Sequence, residues 1–353
     1  MNWPDTRLLD LLGINVPIIQ APLAATSGVE VALGAAKAGA LGSLPCGPMT
    51  PKDIETAVEA FRASCAEPLN LNFFCHEVAP DDGARDAAWL ARLVPYFSAL
   101  GVTPPETPIK AGLAPFDDDK CALVEKLQPE IVSFHFGIPP APLLERVKKA
   151  GCKTLCTATS IREAEYLVAQ GIDAIVAQGT EAGGQRGMFL ETDTFSQPST
   201  FVLVRSIAAN LDVPVIAAGG IADGAAIAAC FDLGAAGVQI GTAYLLCDEA
   251  FTPPMHRDAL ADPKRETAVT NVMTGRPGRC IVNRIMREQG PVSLDVPHFP
   301  RGTAAIAGLR TKAEAEGLTD FSPLWSGQAA SLPAPMSAEA LTRWLIDDAK
   351  KAM

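Results

Sequence analysis

The sequence predicts an α/β protein folded as a (β/α)₈ TIM barrel, with an insertion after the third strand and a mostly helical C-terminal extension. Three observations point there. Eight short apolar, β-branched runs recur through the chain, most of them continuous rather than alternating, as strands covered on both faces should be. Helical stretches separate them, and strand–helix alternation builds a parallel sheet. The glycine pairs come late, whereas an open doubly wound sheet, the alternative, usually shows G-x-G-x-x-G after its first strand.

The strand runs are 16–23, 40–45, 69–74, 131–137, 153–159, 174–179, 214–220 and 237–245. Helical patterns fill the gaps at 29–38, 51–64, 142–150, 161–170, 201–211 and 223–233. Thr50-Pro51 sets a cap before a proline in the first turn, and Ser160 precedes another helix. Gly151, Gly171 and Gly234 follow helix ends, where a left-handed residue is needed. Residues 75–130 form a Pro/Asp-rich insertion with one helix near 82–100. Residues 246–353 carry many prolines and few strand signals. The expected organisation is a barrel over 1–245 and an extension over 246–353 that packs on the barrel mouth.

Composition narrows the function. The 353 residues are 48% hydrophobic, enough for a large core, and the net charge of −11 with no basic cluster argues against nucleic acid and anionic membranes as partners. The opening MNWPDTRLLDLLG lacks a secretory pattern, and no run reaches the roughly 18 apolar residues of a membrane span. Nine scattered cysteines without CxxC pairs fit unpaired thiols in a reducing cytoplasm. No metal-ligand spacing, G-x-S-x-G or P-loop motif occurs, so no metal site is expected.

The strongest chemical signal is the pair PVIAAGGIADG (214–224) and GAAGVQIGTAYL (234–245). Each is a strand running into small residues, and the first leads directly into a helix. At the last two strands of a barrel, such turns expose backbone N–H groups beside a helix N-terminus and bind phosphate without Lys or Arg. Gly219 and Gly220 suit this because a side chain would hold the phosphate away. In AIVAQGTEAGGQRG (174–187), Gln178 ends the sixth strand with an amide able to donate and accept, and Glu181, Gln185 and Arg186 follow on a loop with Gly183-Gly184. His135, in VSFHFG, stands near the C-terminal end of the fourth strand, the catalytic end of such barrels. Asn72 lies nearer that end than Asn70 on the same side of LNLNFF. His76 lies just past the third strand, where it could reach the mouth, whereas His256 and His298 read as structural or surface residues.

IIQAPLAATSG, GALGSLPCG, LNLNFF, SFHFGIPP, GTEAGGQRG, PVIAAGGIADG and GVQIGTAYL, followed by GRPGRCIVNR and WSGQ, occur in the order found in nitronate monooxygenases, formerly 2-nitropropane dioxygenases, and the chain resembles that family over about residues 8–330. The resemblance implies non-covalent FMN and oxidation of alkyl nitronates by O₂ to carbonyl compounds and nitrite. It implies flavin contacts from Ala21, Pro22 and Leu23, ring-edge bonds from Asn72 and Gln178, and ribityl and phosphate contacts from Gly183, Gly219, Gly220, Gln239, Ile240, Gly241 and Thr242. The family loop usually reads EAGGH, and here its histidine position is Gln185, which cannot accept a proton. A preformed nitronate needs no base, so His135 and Gln185 are expected to bind the nitro group, with His135 the base if neutral nitroalkanes are used. An FMN-dependent NAD(P)H oxidoreductase, such as a quinone or enoyl-thioester reductase, shares the same cradle and is the alternative; a non-catalytic flavin-binding protein is a third reading. The expected partners are the nitronate and O₂, and a homodimer is compatible with all three.

Overall fold

In the computed structural model, which describes residues 3–110, 112–191, 193–329 and 336–353, the chain runs through β1 (Ile18–Gln20), β2 (Gly42–Leu44), β3 (Leu69–Phe74), β4 (Ile131–His135), β5 (Lys153–Ala158) and β6 (Ala174–Gln178). A two-residue strand β7 (Gly184–Gln185) leaves this sheet before β8 (Val215–Ala218) and β9 (Gly237–Ile240) rejoin it. The eight parallel strands pair in the order β1-β9-β8-β6-β5-β4-β3-β2, and a bridge between Ile19 and Leu41 closes the circle into the expected barrel. Several strands are shorter than their apolar runs. The unpaired ends of those runs, 21–23, 136–137 and 219–220, form loops at the C-terminal end, and the last run continues past Gly241 into a short 3-10 helix, Thr242–Leu246.

The two-residue strand period sorts the side chains. Ile19, Leu41, Ile131, Leu155, Ala174 and Ile216 form an interior cluster with Leu8 and Leu12 of the helix Arg7–Leu12. That helix plugs the N-terminal end: a Cβ on Gly237, where β9 begins, would lie 2.4 Å from Leu8. The alternate residues Ile18, Val132, Cys156, Ile175, Val215 and Val238 pack against the outer helices. Above the apolar floor lies a buried polar layer. Ser43 N–H donates to Gln20 Oε1 (2.9 Å), and Asn70 Nδ2 donates to Ser43 Oγ (3.0 Å). Asn70 therefore belongs to this layer, and Asn72 stands one step higher.

Two distant stretches build a cap with its own core. The expected insertion helix is present as Gly83–Leu100, capped by Asp82, whose carboxylate accepts from Arg85 N–H (3.0 Å). It packs on the helix Arg301–Ala315, and Trp89, Leu93 and Phe97 meet Val272, Ile285, Ile306, Leu309 and Phe321. β10 (Thr267–Thr270) and β11 (Gly278–Ile281) add an antiparallel sheet whose third strand is β7. These strands escape sequence reading because TAVT and GRCI are not continuous apolar runs and one partner, β7, lies far upstream. A second unexpected element, the helix Asp118–Leu127, is capped by Asp117 and packs beside Pro51–Ser64 and Ala141–Lys149 in the barrel's outer layer. The helix Ala338–Ala352 also joins that layer, between Val29–Lys37 and Gly224–Asp232. Among the described residues no helix is long and apolar enough to cross a membrane.

Candidate active site

A cavity of about 370 Å³ opens at the C-terminal ends of the strands, beneath the cap. Thirteen of the fourteen residues singled out from the sequence line it: Ala21, Pro22, Leu23, Asn72, His135, Gln178, Gly183, Gln185, Gly219, Gly220, Gln239, Gly241 and Thr242. Ile240 does not. On β9 the strand alternation turns Gln239 inward and Ile240 outward into the helix-packed core, where it is 1% exposed. Its carbonyl accepts from Ala21 N–H (2.9 Å), so it anchors the 21–23 segment through its backbone.

The glycine turns at β8 and β9 have the form of an anion cradle. Gly219 and Gly220 adopt φ of 117° and 72°, and a Cβ on Gly219 would stand 2.7 Å from Ala182 N. The N–H groups of Gly220, Gly241 and Thr242 donate to no acceptor among the described residues. The helix expected to add positive potential does not do so freely. At Gly224–Asp232, the Asp223 carboxylate accepts from Ala226 N–H (2.8 Å) and Asp348 Oδ2 from Gly224 N–H (2.7 Å). The neighbouring helix Thr200–Asn210 is likewise covered by Glu181, which accepts from Thr200 N–H (2.8 Å). Two helix N-termini flanking the cradle thus already hold carboxylates, which leaves the donors in the turns themselves.

On the opposite side of the barrel, hydrogen bonds fix the polar groups. His135 Nε2 lies 3.1 Å from the Gln185 carbonyl and Nδ1 lies 3.0 Å from Thr157 Oγ1. A carbonyl only accepts, so Nε2 carries the proton and Nδ1 receives the threonine hydroxyl. Burial, aided by the cationic Arg276 and Arg186, pushes this imidazole down to about 4, so it is neutral at neutral pH. Gln178 is also committed to the loop: Nε2 donates to Gln185 O (3.0 Å) and Oε1 accepts from Gly187 N–H (2.8 Å). Gln185 Nε2 donates to Thr274 Oγ1 (3.0 Å), and the Thr274 hydroxyl donates in turn to Arg276 O (3.2 Å). Arg186, with no exposed surface, clamps the loop by donating to Gly179 O (2.5 Å), Gln178 O (2.7 Å) and Gln197 Oε1 (2.7 Å).

Immediately after His135, Phe136 takes a left-handed φ of 69°, an uncommon conformation for a bulky residue. Its ring packs against those of Phe74, His76, His135 and Phe299, and Arg276 lies 4.2 Å over its face. This cluster holds the strand end in an otherwise strained form. His76 Nε2 donates to Leu113 O (3.1 Å), and His76 lines a separate cavity of about 120 Å³ rather than the main one. His298 lies beside Arg85, away from the cavity.

The cap wall is what sequence reasoning missed. His256, Thr274, Phe299, Thr303, Arg310 and Trp325 line the cavity with the barrel residues. His256, expected to be structural, is 4% exposed; its Nε2 lies 2.9 Å from Trp325 O, and its Nδ1 has no partner among the described residues. Burial, with Arg257 and Arg310 nearby, lowers its pKa. No local periodicity marks these residues, because the cap fold alone brings them to the mouth.

A closed barrel with a donor-lined glycine cradle at its last two strands, roofed by a cap that brings a second imidazole to the cavity, has the form of a phosphate-binding TIM-barrel site. Comparison with known proteins narrows the class. The family model described as nitronate monooxygenase matches residues 5–348. A nitronate monooxygenase of Paraburkholderia phytofirmans is 40% identical over 98% of this chain and 95% of its own length; one of Pseudomonas aeruginosa is 38% identical over 97% and 98%. Among solved structures, a nitroalkane oxidase from Streptomyces ansochromogenes superposes with a TM-score of 0.89 at 32% identity, covering 98% of this chain and 99% of that one. FabK from Thermotoga maritima superposes at 0.72 and 25% identity, covering 98% and 96%. The chain belongs to the nitronate monooxygenase family, a family of flavin-dependent oxidoreductases.

Proposed function

We propose that this protein holds FMN in the glycine cradle and oxidises alkyl nitronates with O₂, releasing a carbonyl compound and nitrite. The observation that carries this reading is the set of unpartnered N–H donors at Gly220, Gly241 and Thr242, at the rim of a cavity whose opposite wall is polar. A phosphate fits there because the turns present free backbone donors, and the φ of 117° and 72° at Gly219 and Gly220 that aim them favour glycine.

Ala21, Pro22 and Leu23 supply an apolar wall for the ring system. Asn72 donates to Ser133 Oγ (2.9 Å), which leaves its carbonyl oxygen for the ring edge. Gln178 retains one N–H for the same purpose. Gln239 and Gly183 line the stretch between ring and phosphate, and Ile240 contributes only through its backbone. When bound, FMN supplies the two-electron and oxygen chemistry. The chain positions the substrate: Gln185 has a second N–H free for a nitro oxygen, and His135 and Gln178 hold that residue in place by donating to its carbonyl. Both nitrogens of His135 are engaged, so in this reading His135 positions Gln185 instead of binding the nitro group itself or serving as base for neutral nitroalkanes.

The test is the purified holoprotein. Its released cofactor should be FMN by mass spectrometry. Anaerobic alkyl nitronate should bleach the flavin absorbance, and air should restore it with release of nitrite. Rapid bleaching by NADPH with no response to nitronate would replace this reading with the reductase one.

A further inference from the structure

The loop position where this family usually carries a histidine is Gln185, and an amide is no base. The second candidate, His135, has no free nitrogen: one ring atom donates to Gln185 O and the other accepts from Thr157. A neutral nitroalkane entering this cavity would find no proton acceptor on the barrel wall. The cap wall has one.

We infer that His256 is the general base that converts neutral nitroalkanes to nitronates in this active site. The inference rests on the nitronate reading above and extends it to a second substrate form. His256 lies on the helix Pro254–Ala261 and lines the same cavity as Gln185. The Trp325 carbonyl, 2.9 Å from Nε2, accepts that ring proton and fixes the tautomer. The lone pair is then on Nδ1, for which no hydrogen bond exists among the described residues. An imidazole oriented through one nitrogen and open at the other is the arrangement a general base requires. The charged groups facing it are both cations. Arg257, on its own helix, is tied to the carbonyls of Leu246, Cys247, Ala250 and Thr252, and Arg310, from the helix Arg301–Ala315, is paired with Glu314 (2.7 Å). Together with burial they favour the neutral ring, so the lone pair is available at neutral pH.

The step balances without an oxidant. The α C–H bond of the nitroalkane breaks and a new N–H bond forms at Nδ1. The C–H electron pair moves into the nitro group, giving the nitronate anion. Nothing is oxidised or reduced, and the imidazolium returns its proton to water at the cavity mouth. The nitronate is the species the proposed oxidation consumes.

The informative variant is His256→Gln, whose amide can still donate to Trp325 O but cannot take a proton. Turnover of a primary nitroalkane and of its preformed nitronate is measured for both holoproteins. The nitroalkane-to-nitronate ratio of kcat/KM should fall about 100-fold, the lower end for loss of a general base. In the parent protein, kcat/KM for the nitroalkane should rise with pH to a plateau with an apparent pKa below 6.5, and that limb should vanish in the variant. A second readout bypasses oxidation: exchange of the nitroalkane α-proton in D₂O under anaerobic conditions, followed by NMR. The parent protein should catalyse it and the variant should not. A proportional loss on both substrates, exchange retained by the variant, or no exchange by the parent overturns the role of His256. Failure to turn over nitronate would instead remove the oxidation reading, and the exchange experiment would still decide for His256.

Discussion

The cradle side of the cavity presents backbone N–H donors from its glycine turns, and the cap side presents side chains. On the barrel side, the parallel register places glycine N–H groups and strand-end carbonyls, and even the polar side chains there, Gln178 and His135, are spent on loop backbone. On the cap side, His256 reaches the cavity from the helix Pro254–Ala261, Thr303 and Arg310 from the helix Arg301–Ala315, and Phe299 from just before it. A wall made of backbone tolerates little change at its glycines, because the shape is the function. A wall made of side chains can be exchanged residue by residue, which suits it to setting the choice of substrate.

The seam between the walls is where the comparison is easiest to break. Arg186 bonds two barrel carbonyls through its side chain, while its backbone N–H donates to Pro277 O in the cap (2.8 Å). Arg186→Met should lower the unfolding free energy by about 4 kcal/mol, because several buried acceptors lose a charged donor together. Urea unfolding measures this, and a loss of less than about 1 kcal/mol would show that the seam holds without it. Next comes the barrel wall. Gly219→Ala forces a side chain into a left-handed backbone against Ala182, and about 3 kcal/mol of strain should weaken flavin binding roughly 100-fold. Gly83→Ala, where the added carbon meets nothing within 4 Å, is the control. Flavin retained per protein after desalting reads both variants.

The pH dependence separates a positioning histidine from a titrating one. The native state holds His135 near 4 against 6.5 in the unfolded chain. Between those values the unfolded chain binds the extra proton, so stability is full above about 6.5 and declines as pH falls, by up to about 1.4 kcal/mol per unit from this group. His135→Gln should flatten that part of the profile, measured as urea midpoints at several pH values; an unchanged slope would contradict the buried, neutral ring. Asp348→Ala removes the carboxylate on Gly224 N–H and should cost about 1 kcal/mol with flavin content unchanged, since that helix end does not serve the cradle. Smallest is a change in the cap wall. Phe299→Leu trims one ring from the cavity wall and should shift KM for a longer-chain nitronate by about threefold with a smaller effect on kcat.

The same division explains what could be read in the sequence. The eight strands were legible because each is an apolar run bounded by turn residues. The cradle was legible because glycine pairs at late strand ends have few other uses. Ile240 was misplaced because the motif spans both strand faces, and only its inward neighbour Gln239 meets the cavity. β10 and β11 were hidden because TAVT and GRCI are not apolar runs and their partner strand belongs to the barrel loop. His256 gave no signal because its meaning depends on Trp325, 69 positions away. The commitments of His135 and Gln178 to the loop are equally invisible to residue type: an amide or imidazole at a strand end looks the same whether it faces a ligand or its own backbone.

The helix Ala338–Ala352 carries a consequence for how the molecule is made. It covers the helix Val29–Lys37, where Gly34 is bare enough for Ala338 to sit against it, and Arg343 donates to Lys37 O across 306 positions. At about 5–20 residues per second, the ribosome needs roughly 15–60 s to travel that distance. Throughout that interval the Gly34 face of this helix lacks its native cover, although its packing on β1, β2 and the helix Pro51–Ser64 can already form. The barrel can begin to pair its early strands during synthesis, but this part of its outer layer waits for a helix that follows 306 positions later.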